Sequence, residues 1–532
     1  MVAGRGRGAG RFAIFWSMGG TGFWRWHALR AFRNPAYRRL WVAIIVNGFA
    51  VWVSRLTVGW FVFDETGSAL LTAISFTMQS APGIVVAPFG GAVADRIDRR
   101  YVLAILVLVF ASSHVDRQIM GILGQPIKES LALTDTQLGL MTGLMFALFY
   151  ATLGMPIAMW ADRGNRRNII ALSISLWSAA TAICGAAANY GQLLVARIFV
   201  GVGEAGSNPP SHSIIADLYE PEVRTTAMAI FATGVNFGIL IGFLLGGWVN
   251  EWIGWRWAFV IAGVPGLLLG LIVRVTVHEP IRGQSDPGTA VRHAPPFPDV
   301  IRTMTKKPVV LHFVLGSALA SFVGYAVVLW IPVYFVRIHE VGTGVAGTWL
   351  ALLIGGGGAL GTFLGGYFAD RLSTRHGPSW RSWIIALAII VALPFSLVTY
   401  FSDSAFQGFI AFAIPSILGG VYIGPTFAMV QSQMPIEMRS VAASINLFVG
   451  NIIGLGLGPY AVGAISDALQ PNYGSNSLRY ALSTLAIISV WSALHFFLGG
   501  RRIRDGFSPT SPGTISKPSG NRIRLDSTSD SS

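Results

Sequence analysis

The sequence predicts an all-α polytopic membrane protein, on the evidence of its composition, its long apolar segments and the distribution of its basic residues. Of 532 residues, 53% are hydrophobic and only 12% are charged, and the mean hydropathy is +0.59. Soluble globular proteins carry about 25% charged residues. The composition therefore excludes a disordered chain and an ordinary soluble enzyme.

The apolar segments predict about fourteen membrane spans. A membrane helix needs about 20 mostly apolar residues. Segments that meet this requirement lie near residues 41–63, 69–93, 101–123, 137–160, 168–188, 191–214, 225–249, 257–277, 308–335, 343–367, 382–400, 404–428, 440–465 and 478–499.

The basic residues predict how these spans are oriented. With the N-terminus in the cytoplasm, 31 of the 38 Lys and Arg residues fall in the cytoplasmic loops and tails, which is the bias that membrane proteins show. We therefore expect a multi-pass protein of the plasma (inner) membrane with both termini in the cytoplasm. The basic cytoplasmic loops and tails then explain the net charge of +14, and no nucleic-acid partner is expected.

Two pairs of markers predict an internal repeat. Asp162 and Asp370, in similar Ala-Asp-Arg segments, are 208 residues apart, and Arg224 and Arg439, in similar Pro-Glu segments, are 215 apart. Glycines at every fourth position follow the second pair, which allows close packing of helices. Two parallel six-helix halves are therefore expected.

These features divide the chain into six segments. They are a basic cytoplasmic tail (1–40), an extra two-helix segment (41–100), two six-helix bundles (101–277 and 308–499), a cytoplasmic linker between them (278–307) and a disordered cytoplasmic tail (500–532). The last segment is rich in Ser, Pro and Gly, a composition typical of disorder.

The loop after the predicted span 137–160 carries Gly-Met-Pro-Ile-Ala-Met-Trp-Ala-Asp-Arg-Gly-Asn-Arg-Arg, residues 154–167, and Gly365–Arg371 repeats its core. This pattern resembles the major facilitator superfamily, whose fold is two six-helix bundles. None of the four lysines follows a glycine, so the chain has no Walker A loop. Gradient-driven transport is therefore favoured over an ATP-driven pump.

A closer resemblance covers residues 101–283 and extends more loosely across the second half. His-Val-Asp-Arg-Gln-Ile-Met-Gly from His114, Ala-Arg-Ile-Phe-Val-Gly-Val-Gly-Glu-Ala-Gly from Ala196 and Gly-Trp-Arg-Trp-Ala-Phe from Gly254 are similar to the spinster branch. That resemblance implies proton-coupled transport of lysophospholipids or sphingoid-type lipids.

Residues 30–100 resemble the start of a different branch, the enterobactin-exporter and drug-efflux type. Phe-Arg-Asn-Pro-Ala-Tyr-Arg-Arg-Leu-Trp from Phe32 and a third Ala-Asp-Arg copy at Asp95 carry this resemblance. Two interpretations stay open. The segment is an extra helix pair fused ahead of a twelve-helix transporter, or it is an artefact of a misjoined reading frame.

Charged residues inside predicted spans are costly and mark functional candidates. They are Asp116, Arg117, Arg197 and Glu204. At 1.5 Å per residue, Asp116 and Arg197 both lie about 10 Å from the outer surface, so we expect them to pair. Glu204 lies near the midplane with no evident partner, and desolvation there favours its protonated form.

Two interpretations of the four charges are open. They couple transport to protons, as the spinster resemblance also implies, or they form a static network between helices. His114 either assists proton transfer or lines the cavity.

The loop motif supplies a second group of candidates, with two roles that are compatible. These residues are expected to latch the halves at the cytoplasmic edge in the outward-open state, or to enforce topology. They are Gly154, Asp162, Arg163, Arg166, Arg167, Asp370 and Arg371.

The substrate cavity is expected between the halves near the midplane. Its other candidates are His312, Tyr325, Trp330, Asn446 and Asn451. These residues could equally be polar contacts between helices.

The sequence thus predicts a proton-coupled secondary transporter of an amphipathic lipid, working as a monomer by alternating access. The alternatives are proton-driven efflux of drugs or a siderophore, and a transport-inactive scaffold. With one cysteine and no nucleophile–base set or metal-ligand spacing, we expect no enzyme activity, no cofactor and no metal.

Overall fold

The computed structural model describes residues 99–285 and 296–506, together with residues 57, 58, 61, 62, 64 and 65, which are helical. The chain divides into two compact units, Met1–Gly91 and Ala92–Ser532. Apart from those six residues, the predicted tail 1–40 and the predicted spans 41–63 and 69–93 lie outside the described residues. The count of fourteen spans is therefore not confirmed.

The first half of the second unit contains nine helices among the described residues. They are α1 (Arg99–Ile122), α2 (Gly124–Leu131), α3 (Asp135–Gly139), α4 (Phe146–Arg163), α5 (Arg166–Cys184), α6 (Tyr190–Glu204), α7 (Asn208–Leu218), α8 (Pro221–Ile253) and α9 (Trp255–Thr276). A π-helical segment, Leu140–Met145, joins α3 to α4.

A short linker helix, α10 (Phe297–Thr305), precedes the second half. The helices that follow are α11 (Pro308–His339), α12 (Thr343–Leu350), α13 (Gly358–His376), α14 (Trp380–Tyr400), α15 (Ala405–Leu418), α16 (Ile423–Ser432), α17 (Arg439–Gly450), α18 (Gly458–Tyr473), α19 (Ser477–Ser483) and α20 (Leu485–Gly506). π-Helical segments Ala351–Gly357 and Asn451–Leu457 join α12 to α13 and α17 to α18, and 3₁₀ turns lie at Ile436–Met438 and Gly474–Asn476.

Ten helical segments in the described residues are long and apolar enough to cross a membrane. One of them, Ile436–Asp505, contains two predicted spans, 440–465 and 478–499. The predicted span 191–214 coincides with the shorter pair α6 and α7. Each predicted span from residue 101 onward thus coincides with helix, which confirms an all-α, multi-pass membrane fold.

The predicted start of the C-terminal tail is wrong by several residues. The tail was expected from residue 500, but α20 continues to Gly506. Contacts with neighbouring groups explain the extension. Arg501 pairs with Asp505 one helical turn later, and the guanidinium of Arg504 lies 5.5 Å from the centroid of the Trp383 ring.

The break between α6 and α7 fixes the position of Glu204. α6 ends at Glu204, and α7 begins at Asn208 with Pro209 and Pro210 in its first turn. Proline has no N–H to donate and fits best in the first turn of a helix, where that N–H would have no partner within the helix. The sequence therefore places Glu204 at the end of a helix in the middle of its span.

The glycine stripes allow the close packing that the sequence predicts. A Cβ on Gly242 in α8 would lie 2.8 Å from the Cβ of Gln118 in α1. In the second half, a Cβ on Gly454 would lie 2.5 Å from the Cβ of Ser321 in α11. Real Cβ atoms do not approach so closely, so only glycine permits these two helix contacts.

The two halves are joined at one end of the bundle, where α1 ends and α3 begins; we call it the closed end. The continuous helical rod of α3, the π-helical segment Leu140–Met145 and α4 packs there against α18 and the π-helical segment before it. A Cβ on Gly143 would lie 2.8 Å from the Gly456 carbonyl oxygen. At the opposite, open end of the same rod, a Cβ on Gly154 would meet nothing within 4 Å, and Met155 is 56% exposed. The halves therefore diverge toward the open end.

Candidate functional site

A buried ion pair joins α1 to α6 in the wall of the space between the halves. Both Nε and Nη2 of Arg117 lie 2.7 Å from Oε2 of Glu204. The Glu204 side chain is 1% exposed and that of Arg117 is 17% exposed. Arg117 is therefore the more accessible member of the pair.

This pairing corrects the expectation for Asp116 and Arg197. Both residues are buried, but neither oxygen of the Asp116 carboxyl has a hydrogen-bond partner in the described part of the chain, nor do Nε and Nη1 of Arg197. The two side chains still lie within electrostatic range of one another. Glu204, which was expected to lack a partner, instead takes Arg117.

Aromatic rings surround the Arg117 guanidinium. Its central carbon lies 5.0 Å from the ring centroids of both Phe146 and Tyr150 in α4. Tyr325 of α11 is also close enough to interact electrostatically with Arg117, so the second half contributes to the same region. The site combines a cation with apolar ring faces, which suits a ligand with a charged head and a hydrocarbon tail.

His114 lies one turn before Arg117 and is half-buried. Its Nδ1 atom is 3.0 Å from the Phe110 carbonyl oxygen and 3.3 Å from the Ser113 hydroxyl. The ring also makes an edge contact with Phe110, at 4.8 Å between centroids. These contacts anchor the imidazole to its own helix and leave both of its predicted roles open.

Three second-half candidates lie in contacts between helices. Trp330 is fully buried and donates its indole N–H to the Pro459 carbonyl oxygen at 2.9 Å. The Asn446 amide oxygen accepts from the Ser317 hydroxyl at 2.9 Å. His312 in α11 approaches a second imidazole in α20, with 2.9 Å between Nδ1 of His312 and Nδ1 of His495.

This geometry favours the helix-contact interpretation for Trp330, Asn446 and His312. Tyr325 is the second-half candidate that joins the Arg117 region. Asn451 is half-buried and begins the π-helical segment that joins α17 to α18.

The loop motif contains a second buried network. Arg166 is 1% exposed, and its Nε donates to Oε1 of Glu279 at 2.6 Å while Nη1 donates to Oδ2 of Asp217 at 2.5 Å. The backbone N–H of Arg167 donates to the other oxygen of Glu279. These bonds tie α5 to α7 and to the chain after α9.

The other motif residues lie at the surface of the open end. Asp162 and Arg163 are exposed, and Gly154 has no close neighbour. In the second half, Asp370 accepts from Nη2 of Arg381 at 3.1 Å, and Nη1 of Arg371 lies 3.3 Å from the Tyr367 hydroxyl. All these contacts stay within one half, so a latch between halves remains a prediction.

Sequence reasoning missed the ion-pair network of the closed end. Asp135, at the start of α3, accepts from both terminal nitrogens of Arg337 at 2.7 Å and from Lys128 at 2.5 Å. The Asp467 carboxylate of α18 accepts from the backbone N–H groups of Asp135 and Thr136. One sequence signal could have indicated it: Lys128 and Arg337 are among the few basic residues outside the predicted cytoplasmic loops.

The part of the chain that the structure describes contains no group of three or more His, Cys, Asp or Glu side chains placed to hold a metal ion. The single cysteine, Cys184, is buried in the first half.

Two family models match the chain. The model of the Major Facilitator Superfamily matches residues 111–459, and a model described as a transmembrane secretion effector matches residues 27–154. The first match covers well over half of the sequence and includes most of both halves.

Individual relatives agree with the family models. The chain is 31% identical to an MFS-type efflux pump of Mycolicibacterium smegmatis, over 77% of this chain and 95% of that protein. It is 25% identical to a sphingosine-1-phosphate transporter of Danio rerio, over 72% and 80% of the two chains. The crystal structure of a bacterial homolog of the human lysosomal transporter Spinster, inward-facing and unoccupied, is 31% identical with a TM-score of 0.72, covering 78% of this chain and all of that one.

Proposed function

This chain belongs to the major facilitator superfamily, as a spinster-like secondary transporter, and on that premise we propose that it moves an amphipathic lipid, such as a lysophospholipid or a sphingoid-type lipid, coupled to protons. The observation that carries the proposal is the buried Arg117–Glu204 pair, which lies beside aromatic rings between the halves. The fold and the relatives are those of transporters and not of enzymes.

The basic-residue bias supports placing the open end at the cytoplasm. Asp162, Arg163 and Arg371 lie at that end, and cytoplasmic loops are the ones enriched in Lys and Arg. The structure would then correspond to an inward-facing state. The protein would lie in the plasma membrane with both termini in the cytoplasm. Alternating access would open the other end by separating Asp135 from Arg337 and Asp467.

The coupling step follows from competition for Arg117. While Glu204 is ionised, its carboxylate occupies two N–H donors of the Arg117 guanidinium. A proton that binds Glu204 removes the negative charge and weakens this pair. The guanidinium can then bind an anionic head group, so protonation and binding of the lipid favour each other.

The surroundings of Arg117 suit a lipid better than a sugar. The half-buried Tyr150 and Tyr325 can offer ring surfaces to hydrocarbon, and guanidinium groups bind phosphate through paired hydrogen bonds. A polyhydroxylated substrate would need many more hydrogen-bonding side chains than these.

Uptake into proteoliposomes tests the proposal. Purified protein is reconstituted, a pH gradient of either polarity is imposed, and entry of a radiolabelled lysophospholipid is measured. Wild type should show uptake that depends on the gradient. Glu204→Gln should lose the dependence on the gradient, because the amide cannot ionise and release a proton.

Glu222→Gln serves as the matched control, because Glu222 is an exposed glutamate at the start of α8 in the same half. It should transport like wild type. If folded wild type shows no uptake under either polarity, the lipid proposal fails for that substrate. If Glu204→Gln keeps full dependence on the gradient, Glu204 is not the coupling group.

Proton-driven drug efflux is the second candidate, favoured by the 31% identity to the mycobacterial efflux pump over nearly all of that protein. It predicts that ethidium leaves loaded cells faster when the protein is expressed, and that unrelated cations compete with one another. Lysolipid transport without such competition would argue against this alternative.

A further inference from the structure

A basic and aromatic surface lies at the open end of the second half, where α14 begins and α20 ends. We call it the Trp383 surface. Its members are Trp380, Trp383, Phe497, Arg501 and Arg504. The Trp383 indole donates to the Phe497 carbonyl oxygen at 3.2 Å, so the two helices hold the surface together.

Positive charge is only partly balanced on this surface. Arg501 and Arg504 have side chains that are 61% exposed, and Asp505 is the acidic residue that pairs with them. The Asp505 carboxylate lies 3.8 Å from Nε of Arg501 and 3.6 Å from Nε of Arg504, so one negative charge faces two exposed guanidinium groups that an anionic group can still reach.

An apolar strip continues from these charges toward the middle of the membrane. On α14, Leu387 and Ile390 follow Trp383 at four and seven positions, on the same helix face, and are 57% and 47% exposed. On α20, Leu494 lies three positions before Phe497 and is 49% exposed. The rings of Trp383 and Phe497 are 6.3 Å apart and bring the two strips together.

We propose that the Trp383 surface is a binding site for an anionic phospholipid. Arg501 and Arg504 would bind the phosphate, and an acyl chain would lie along Phe497, Leu387 and Ile390. Tryptophan is typical of the level where lipid head groups meet hydrocarbon, and juxtamembrane arginines attract anionic lipids. This site is separate from the Arg117 region and does not depend on the transported substrate.

Native mass spectrometry of the full chain in detergent can measure this binding. Phosphatidylglycerol and phosphatidylcholine, with matched acyl chains, are titrated separately. Wild type should bind phosphatidylglycerol with clear preference. Because each arginine near an anionic surface contributes about fivefold in affinity, Arg501→Gln with Arg504→Gln should lower the affinity for phosphatidylglycerol more than tenfold and leave that for phosphatidylcholine unchanged.

Arg256→Gln is the matched control. The Arg256 guanidinium also covers a tryptophan, 4.2 Å from the Trp255 ring centroid, but at the closed end. This variant should keep the preference for phosphatidylglycerol. If the double variant does not fold, Arg504→Gln alone should still lower the affinity about fivefold, because its exposed side chain supports little of the core.

Two results would overturn the proposal. One is equal affinity of wild type and the double variant for phosphatidylglycerol. The other is full displacement of the lipid by millimolar glycerol 3-phosphate, which would mean that the site binds a soluble anion and not the whole lipid. Transport activity does not enter either readout, so the result stands apart from the outcome of the uptake experiment.

Discussion

Arg117 and Asp116 are neighbours in sequence but face different surroundings. Successive residues of a helix point about 100° apart. Arg117 therefore hydrogen-bonds to Glu204 and contacts the aromatic rings, while Asp116 is 1% exposed and lies within electrostatic range of Glu204 and Arg197 without forming an ion pair. The residue that can meet both the proton site and a ligand is thus Arg117.

Arg117→Lys tests this assignment at the residue scale. A lysine keeps the charge but loses the planar fork of donors and most of the stacking on Phe146 and Tyr150. A hydrogen bond to a charged group contributes roughly 1.5–3 kcal/mol, so the initial rate of proton-driven lipid uptake should fall at least tenfold. Arg256→Lys should transport normally, and an unchanged rate in Arg117→Lys would remove Arg117 from the site.

Asn446→Ala separates a helix contact from a cavity residue. The Asn446 side chain in α17 accepts a hydrogen bond from the Ser317 hydroxyl in α11. Its loss should lower the free energy of unfolding by about 1 kcal/mol and leave the half-saturating lipid concentration unchanged. Ser317→Ala should lower the free energy of unfolding by a similar amount. Because both changes remove the same hydrogen bond, thermal unfolding of the double variant should show no larger loss than either single variant. A higher half-saturating concentration at unchanged stability would instead place Asn446 in the cavity.

At the scale of elements, polar contacts join the halves at two places among the described residues. One is between α8 and α12, where the Asn250 amide donates to the Thr343 hydroxyl and Glu251 accepts from the Gly344 N–H. The other is at the start of α3. Its Asp135 carboxylate binds Arg337 of α11, and its first backbone N–H groups bind Asp467 of α18. The Asp135–Arg337 ion pair is largely buried, with side chains that are 2% and 9% exposed, so water screens it little. Any conformation that opens the closed end must break this set of bonds.

Asp135→Asn should therefore shift the protein toward conformations open at the closed end. An uncharged amide leaves the Arg337 and Lys128 charges buried without a partner, which destabilises the closed arrangement. Spin labels at Glu129 and Asn472, one in each half, report the separation by electron resonance in a Cys184→Ala background. The distance distribution should gain a longer population.

The matched control for that experiment is Asp299→Asn, which changes an exposed carboxylate of the linker helix α10. Its distance distribution should match that of the labelled parent. An unchanged distribution in Asp135→Asn would show that the remaining contacts, including the Asp467 bonds to the start of α3 and the α8–α12 hydrogen bonds, hold the closed end without this ion pair.

At the scale of the whole molecule, the division at residue 91 predicts that the second unit folds alone. Ala92–Ser532 forms a compact unit by itself and includes the helices of both halves. A chain beginning with Met followed by Ala92 should therefore insert in the membrane, elute as one species and melt within a few degrees of the full chain. Aggregation of the shortened chain, with the full chain well behaved, would mean that the first unit is required.

The spans from residue 101 onward, the two halves and the glycine stripes were predictable from sequence. Span length and apolar composition are local properties, since a helix must cover about 30 Å of hydrocarbon wherever it packs. The internal repeat likewise needs no coordinates, because the pairs Asp162/Asp370 and Arg224/Arg439 recur at nearly the same offset, 208 and 215 residues. The sequence also contains a local signal for the break after Glu204, because Pro209 and Pro210 favour the start of a new helix there.

Tertiary structure alone decided which charges meet. Counting residues gives the depth of a side chain along the membrane normal, and by depth Asp116 and Arg197 should pair. Depth carries no information on how each helix is rotated about its axis, and that rotation brings Arg117 to Glu204 instead. The same reason explains the closed end, where Asp135 and Arg337 are 202 residues apart and meet only because the two halves pack together.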